Sequence, residues 1–321
     1  MKIVVLDGYT LNPGDISWAP FEVLGELVVY DYTAPDEIFS RLEGCSVCLT
    51  NKTCFPREVL EKLPDLRYIG CLSTGYNVVD IEYAHEHGIT VTNIPEYATF
   101  ATAQMTIALI LEICNKVGHH SDLVHDGTWT KNRDFCFWDG SLTELYGKTL
   151  GLFGFGKIAS RVSKIASALG MHVLACRRSE VTKAMREADP QVTFVDADTL
   201  FAESDIISFH CPLTADTKGL VTGSVIAEMK DGVILINTSR GPVLDEAAVA
   251  SALISGKIAA LGADVVSIEP IKGDNPLLTA PNTYLTPHIA WAPFETRKRL
   301  MKVAAENLSA YLGGEPVNVV S

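Results

Sequence analysis

Short apolar runs recur from the first residues onward, at Ile3 to Leu6, Leu27 to Tyr30, Val47 to Leu49, Tyr68 to Cys71 and Ile89 to Thr92. Between them lie segments of helical spacing such as Pro35 to Leu42 and Pro56 to Leu63. Each opens on a proline, which suits a first helical turn because the missing N–H has no partner there. This alternation of strand and helix predicts a parallel sheet with helices over its faces. A long helix follows, about Ala98 to Val117, then a polar and aromatic stretch, His119 to Trp138, whose composition suits an excursion from the globule. At Lys148 the alternation resumes, with strands predicted near Thr149 to Phe153, His172 to Cys176, Asp205 to His210, Val233 to Asn237, Ala259 to Asp264 and Thr283 to Leu285. Pro293 to Leu312 carries Leu300, Ala304, Leu308, Tyr311 and Leu312 at amphipathic spacing and stops at Gly313-Gly314, so it is expected to pack back on the first sheet.

The pattern therefore predicts an α/β chain of two doubly wound parallel-sheet domains. One, flavodoxin-like, spans 1–99 and is completed by a C-terminal helix in 290–321; the other spans 100–289 and has the six strands of a Rossmann sheet. Composition narrows the function classes. With 47% hydrophobic and 20% charged residues the chain has enough apolar surface to fold, which excludes disorder as its main theme. Lys+Arg number 26 against 39 Asp+Glu, a net charge of −13, and such a surface repels phosphate, so no nucleic-acid partner is expected. The longest apolar stretch, Ile107 to Cys114, is broken by Glu112 and falls short of the roughly 20 residues a bilayer needs, so no membrane partner is expected either. Asp7 interrupts the N-terminal run before an apolar signal region develops, and the eight cysteines are scattered, mostly within apolar runs as small buried hydrophobes of a reducing compartment are, which points to the cytoplasm. Cys45 and Cys48, with Cys54 and Cys71, could suggest zinc, but the surrounding residues read as a strand and no metal site is expected.

One turn carries a ligand signal. The strand ending at Phe153 runs into Gly154-Phe155-Gly156-Lys157-Ile158-Ala159 and then a helix, Ser160 to Leu169. Gly154 permits a tight turn, Gly156 leaves room for a pyrophosphate against the backbone, Ala159 allows close helix–strand contact, and the helix N-terminus offers free N–H groups. Inside a complete strand–turn–helix–strand unit this reads as a dinucleotide site. After the second strand, where an acid commonly holds the ribose 2′-hydroxyl, the chain has Cys176-Arg177-Arg178-Ser179. Two guanidinium groups and a hydroxyl match a 2′-phosphate, so NADP is the expected preference. The other reading, two solvated arginines with Glu180 serving the ribose, keeps NAD possible.

Three segments follow predicted strands of the second half, where open α/β sheets place their ligands: Asn237 to Gly241, Asp264 to Pro270, and Thr286 to Trp291. Together they offer a guanidinium, carboxylates and an imidazole able to converge beside a nicotinamide. With the glycine turn, Asn237-Thr238-Ser239-Arg240-Gly241-Pro242-Val243-Leu244-Asp245-Glu246, Asp264-Val265 with Glu269-Pro270, and Pro287-His288-Ile289-Ala290-Trp291, the chain resembles the D-isomer-specific 2-hydroxyacid dehydrogenase family over essentially its whole length. Leu6 to Asp15 and Ser73 to Asp80 resemble its glycerate dehydrogenase (hydroxypyruvate reductase) branch.

The resemblance implies hydride transfer between a nicotinamide cofactor and a small 2-oxo acid, most simply hydroxypyruvate/D-glycerate or glyoxylate/glycolate. It implies that Arg240 binds the substrate carboxylate, helped by backbone N–H groups of Ser73, Thr74 and Gly75. His288 would donate the proton to the carbonyl oxygen, and Glu269 would orient the imidazole and stabilise its protonated form. Asp264 would bond the nicotinamide carboxamide, with His288 beside the same ring. Gly154, Phe155, Gly156, Lys157, Ile158, Arg177, Arg178, Ser179, Cys211, Pro212, Thr238 and Ser239 would line the rest of the cofactor site. A homodimer built on the Ala98 to Trp138 region is implied too, and hinges near Ala98 to Ala101 and His288 to Pro293 would let the domains close. A larger D-2-hydroxy acid substrate stays open, as does a nucleotide-sensing interaction protein like the C-terminal-binding-protein corepressors.

Overall fold

The computed structural model describes residues 1–321 and divides into two compact units, Met1–Ala98 with Trp291–Ser321, and Thr99–Ala290. The first unit holds β1 (Lys2–Val5), β2 (Glu26–Val29), β3 (Val47–Thr50), β4 (Tyr68–Cys71) and β5 (Thr90–Thr92), hydrogen-bonded in the order β2-β1-β3-β4-β5, all parallel. This is the flavodoxin-like order. Its strands read as near-continuous apolar runs because both faces are covered. Val4, Cys48, Ile69 and Val91 point to one side, against Ile38, Leu42, Leu60 and Ala84. Ile3, Val5, Val47, Leu49 and Tyr68 point to the other, where Leu300, Met301, Ala304 and Leu308 of the helix Phe294–Leu312 close the face. That helix packs on this sheet. Its anchor is Arg297, 9% exposed, which donates to Asp15 Oδ1 at 2.7 Å, Leu11 O at 3.0 Å and Ala292 O at 2.9 Å.

The second unit adds β6 (Thr149–Phe153), β7 (His172–Cys176), β8 (Val192–Phe194), β9 (Ile206–Phe209), β10 (Val233–Asn237), β11 (Ile258–Ala263) and β12 (Thr283–Leu285). Their order, β12-β11-β10-β9-β6-β7-β8, reverses direction around β6, as in a Rossmann sheet. Seven strands replace the six expected. β8 escaped the hydrophobic pattern because it is an edge of three residues with only Val192 buried. The helix Thr99–Asn115 covers one face through Ile107, Ile110 and Ile113, packed with Leu150, Leu152, Ile234 and Ile236. It stops two residues before the expected end, because Lys116 takes a left-handed backbone (φ 51) and turns the chain into a separate helix, Val117–His125, that buries none of its residues. The helix after the glycine turn begins at Lys157, not Ser160, with Gly156 as its N-cap. Nothing in Lys157-Ile158-Ala159 opposes helix, so it starts as soon as the glycines end. No single helix is long and apolar enough to cross a membrane.

Candidate active site

Strand register alone brings the chemistry together within the second unit. Asn237 lies opposite Ala263 in the β10–β11 pair, and Ala263 opposite Leu285 in the β11–β12 pair. The ladder continues one step past the strands, with Asp264 N–H donating to Asn237 O at 3.0 Å and Thr286 N–H to Ala263 O at 2.9 Å. Three loops therefore leave the carboxyl ends of adjacent strands side by side, and they carry Arg240, Glu269 and His288.

Each loop is held by its own polar group. Asn237, fully buried, accepts from Ser239 N–H at 3.0 Å and Ser239 Oγ at 2.9 Å, and its amide donates to Arg240 O at 2.9 Å. That closes an Asx turn which presents the half-buried Arg240, whose Nη1 donates to Ser239 O at 2.8 Å. His288 sits in the left-handed region (φ 55), a costly backbone for a residue with a Cβ. Asp264, 1% exposed, holds it there. Its Oδ1 accepts from Ile289 N–H at 2.9 Å and from the Thr286 hydroxyl, and its Oδ2 accepts from Ala290 N–H at 2.8 Å. The resemblance implies a bond from Asp264 to the nicotinamide carboxamide; in the structure the same carboxylate supports the His288 turn. Glu269 precedes a cis proline, Pro270, and its Oε2 stands 2.6 Å from His288 Nδ1 while its Oε1 accepts from Val266 N–H at 3.3 Å. An imidazole with Nδ1 on a carboxylate keeps Nε2 for a proton donor's work.

At the other side of the switch point, β6 ends in the glycine turn. Gly154 has φ 89, and a Cβ there would stand 2.7 Å from Cys211 N, so both its conformation and its neighbours demand glycine. A Cβ on Gly156 would meet nothing within 4 Å. Open space above the turn, joined to a helix start that no side chain caps, fits a diphosphate. Phe155 is buried and packs edge-on against Phe194, and Ala159 is fully buried. Burial pushes the Cys176 and Cys211 thiols up to about 11, so both act as apolar walls. It pulls His210, whose Nε2 lies 2.9 Å from Ser208 Oγ, down to about 4. Thr238 is fixed from the covering helix by the buried Thr106 hydroxyl, 2.9 Å away.

Comparison with known proteins bears directly on these loops. Residues 107–290 match the family described as D-isomer specific 2-hydroxyacid dehydrogenase, NAD binding domain. The chain is 53% identical to a hydroxypyruvate reductase of Blautia hydrogenotrophica, covering 100% of both chains. The chain belongs to the D-isomer specific 2-hydroxyacid dehydrogenase family. It is also 37% identical to a glycerate dehydrogenase of Methylorubrum extorquens over 99% of this chain and 98% of that one. Among solved structures, an acyclic imino acid reductase in complex with NADPH and D-Arg is similar over 100% of both chains, with a TM-score of 0.85 and 29% identity.

The remaining expected residues of this dehydrogenase fall in three places. Ser73, Thr74 and Gly75 follow β4 in the first unit, where Thr74 Oγ1 donates to Ile94 O at 2.7 Å and Ile94 N–H to Ser73 O at 2.9 Å. Pro212 follows Cys211 after β9, and its carbonyl accepts from Thr217 Oγ1 at 2.6 Å. Arg177, at the end of β7, donates through Nε to Ser179 Oγ at 2.9 Å, whereas Arg178 is at the surface in an ion pair with Asp216 at 3.1 Å. The sequence reading gave no role to Asn237 or Thr106. An Asn at a strand's end, two residues before a Ser, is an Asx-turn signal and was legible; the Thr106–Thr238 contact joins residues 132 apart and was not.

Proposed function

We propose that this 2-hydroxyacid dehydrogenase reduces hydroxypyruvate to D-glycerate and glyoxylate to glycolate, and that it prefers NADPH to NADH. The observation that carries the reading is the Glu269–His288 contact of 2.6 Å on loops that register sets beside Arg240. Similarity to a hydroxypyruvate reductase and a glycerate dehydrogenase over nearly the full chain supports the substrate class.

Gly154, Phe155, Gly156, Lys157, Ile158, Thr238 and Ser239 would hold a nicotinamide dinucleotide, which supplies the hydride when bound. Arg240 binds the substrate carboxylate through two parallel N–H···O bonds and so sets the 2-oxo carbon in register. His288 Nε2 gives a proton to the oxo oxygen as negative charge develops there, and takes it back in the oxidative direction. Glu269, on Nδ1, fixes the ring and offsets the charge of the imidazolium. Arg177 and Ser179 form one polar cluster after β7, where a carboxylate would instead select an unphosphorylated ribose.

Absorbance at the reduced-nicotinamide band, with hydroxypyruvate, glyoxylate, pyruvate and phenylpyruvate each paired with NADH and NADPH, tests both parts. Turnover confined to the two small acids, with higher kcat/KM for NADPH, is expected. No oxidation of either cofactor by hydroxypyruvate or glyoxylate would overturn the activity; a higher kcat/KM for NADH would overturn the preference alone.

A further inference from the structure

The loop that carries Glu269 is tied down by a carboxylate outside the site just described. Glu246 is the first residue of the helix Glu246–Ser255. The capping role next to it is already taken, since Asp245 accepts from Ala247 N–H and Ala248 N–H, both at 3.1 Å. Glu246 is therefore free to turn outward. Its Oε1 accepts from Ser267 N–H at 2.7 Å, and its Oε2 accepts from the Ser267 hydroxyl and from Asn275 Nδ2 at 3.0 Å. Ser267 and Asn275 flank Glu269 on its two sides, so one carboxylate ties both ends of the segment that bears it. Asn275 is itself locked, because its Oδ1 accepts from Leu277 N–H at 2.9 Å and Leu277 is 1% exposed.

The opposite side of the loop is pressed on the Arg240 turn. A Cβ on Gly241 would fall 1.9 Å from the Val266 carbonyl carbon, so backbone lies on backbone with no slack. Val266 N–H in turn donates to Glu269 Oε1 at 3.3 Å, and Glu269 Oε2 holds His288 Nδ1. The contacts run unbroken from Glu246 through Ser267, Val266 and Glu269 to His288.

We propose that Glu246 is a positioning residue for the reaction: by clamping Ser267 and Asn275 it sets the direction in which the Glu269 carboxylate meets the His288 imidazole. This rests on the proton-donor reading of His288 above. A group that acts only by orienting another should show its loss in turnover more than in ligand affinity.

The test uses the full-length enzyme with hydroxypyruvate and NADPH. Glu246→Ala is expected to lower kcat about tenfold while leaving the KM for hydroxypyruvate and the NADPH dissociation constant each within about twofold. Glu246→Gln, which keeps one acceptor, should recover part of the loss. In a Glu269→Gln background Glu246→Ala should cost less than about twofold, because the two act through one contact. If Glu246→Ala does not fold, Ser267→Ala removes one anchor of an exposed residue and should give a two- to threefold loss of kcat, roughly, with KM for hydroxypyruvate unmoved. The full loss retained in the Glu269→Gln background would make Glu246 a loop stabiliser only and overturn the proposal. Wild-type enzyme without turnover would overturn the underlying reading first, and this inference with it.

Discussion

At His288 the backbone and the side chain make opposite demands, and a buried acid reconciles them. The left-handed turn aims the imidazole at Glu269, and the two amides that follow it are spent on Asp264. Replacing His288 with Ala should lower kcat by a factor on the order of 10² to 10⁴ with cofactor affinity near normal, and stopped-assay kinetics beside a fluorescence titration of NADPH separate the two. Retained turnover would remove it as the acid. His210 offers a residue-scale prediction on stability. Burial keeps it neutral in the folded protein down to about pH 4, whereas in the unfolded chain it takes up a proton near 6.5. Between those values the unfolded state binds more protons, so stability is lost as pH falls from about 6.5 to about 4. Denaturant midpoints for wild type and His210→Asn at pH 7 and pH 5 check it; the variant should lose less on acidification.

The glycine turn and its neighbours show how an element can be legible and its ends not. Every strand longer than three residues was visible in the apolar pattern, because most are parallel strands buried on both faces with little that is polar to hide them. β8, at the edge, was not, and the helix Lys157–Ala168 began three residues before its predicted start at Ser160. Two glycines two residues apart should also respond differently to substitution. Gly154→Ala puts a Cβ into Cys211 on a backbone that disfavours one, and should destabilise the fold by about 1–3 kcal/mol with or without cofactor. Gly156→Ala adds a Cβ that meets nothing within 4 Å, so the thermal midpoint should stay within about 2 °C of wild type while NADPH binding weakens at least about tenfold. Equal melting losses in the two variants would reject this division of labour.

Beyond the two sheets, the segment after the helix Thr99–Asn115 exposes Trp129, Phe135, Trp138 and Tyr146, with Phe135 88% and Tyr146 76% accessible. A run of large apolar side chains on an otherwise acidic surface is a candidate subunit contact, and a homodimer built on the Ala98 to Trp138 region is proposed. Sedimentation velocity should return a dimer, and the double change Phe135→Glu with Trp138→Ser should shift it toward monomer; a wild-type monomer would refute it. For the molecule as a whole, the order of apolar and polar residues was sufficient to determine two parallel α/β sheets, the glycine turn and the short motifs that bear Arg240, Glu269 and His288. Those are properties of neighbours in the chain. Only the folded structure decided that Asn237, Ala263 and Leu285 stand abreast, that Asp264 props the His288 turn, and that Glu246 clamps the loop of Glu269. Strand register and loop-to-loop hydrogen bonds join residues far apart in sequence, and a chain reports such pairs only once burial has forced them together.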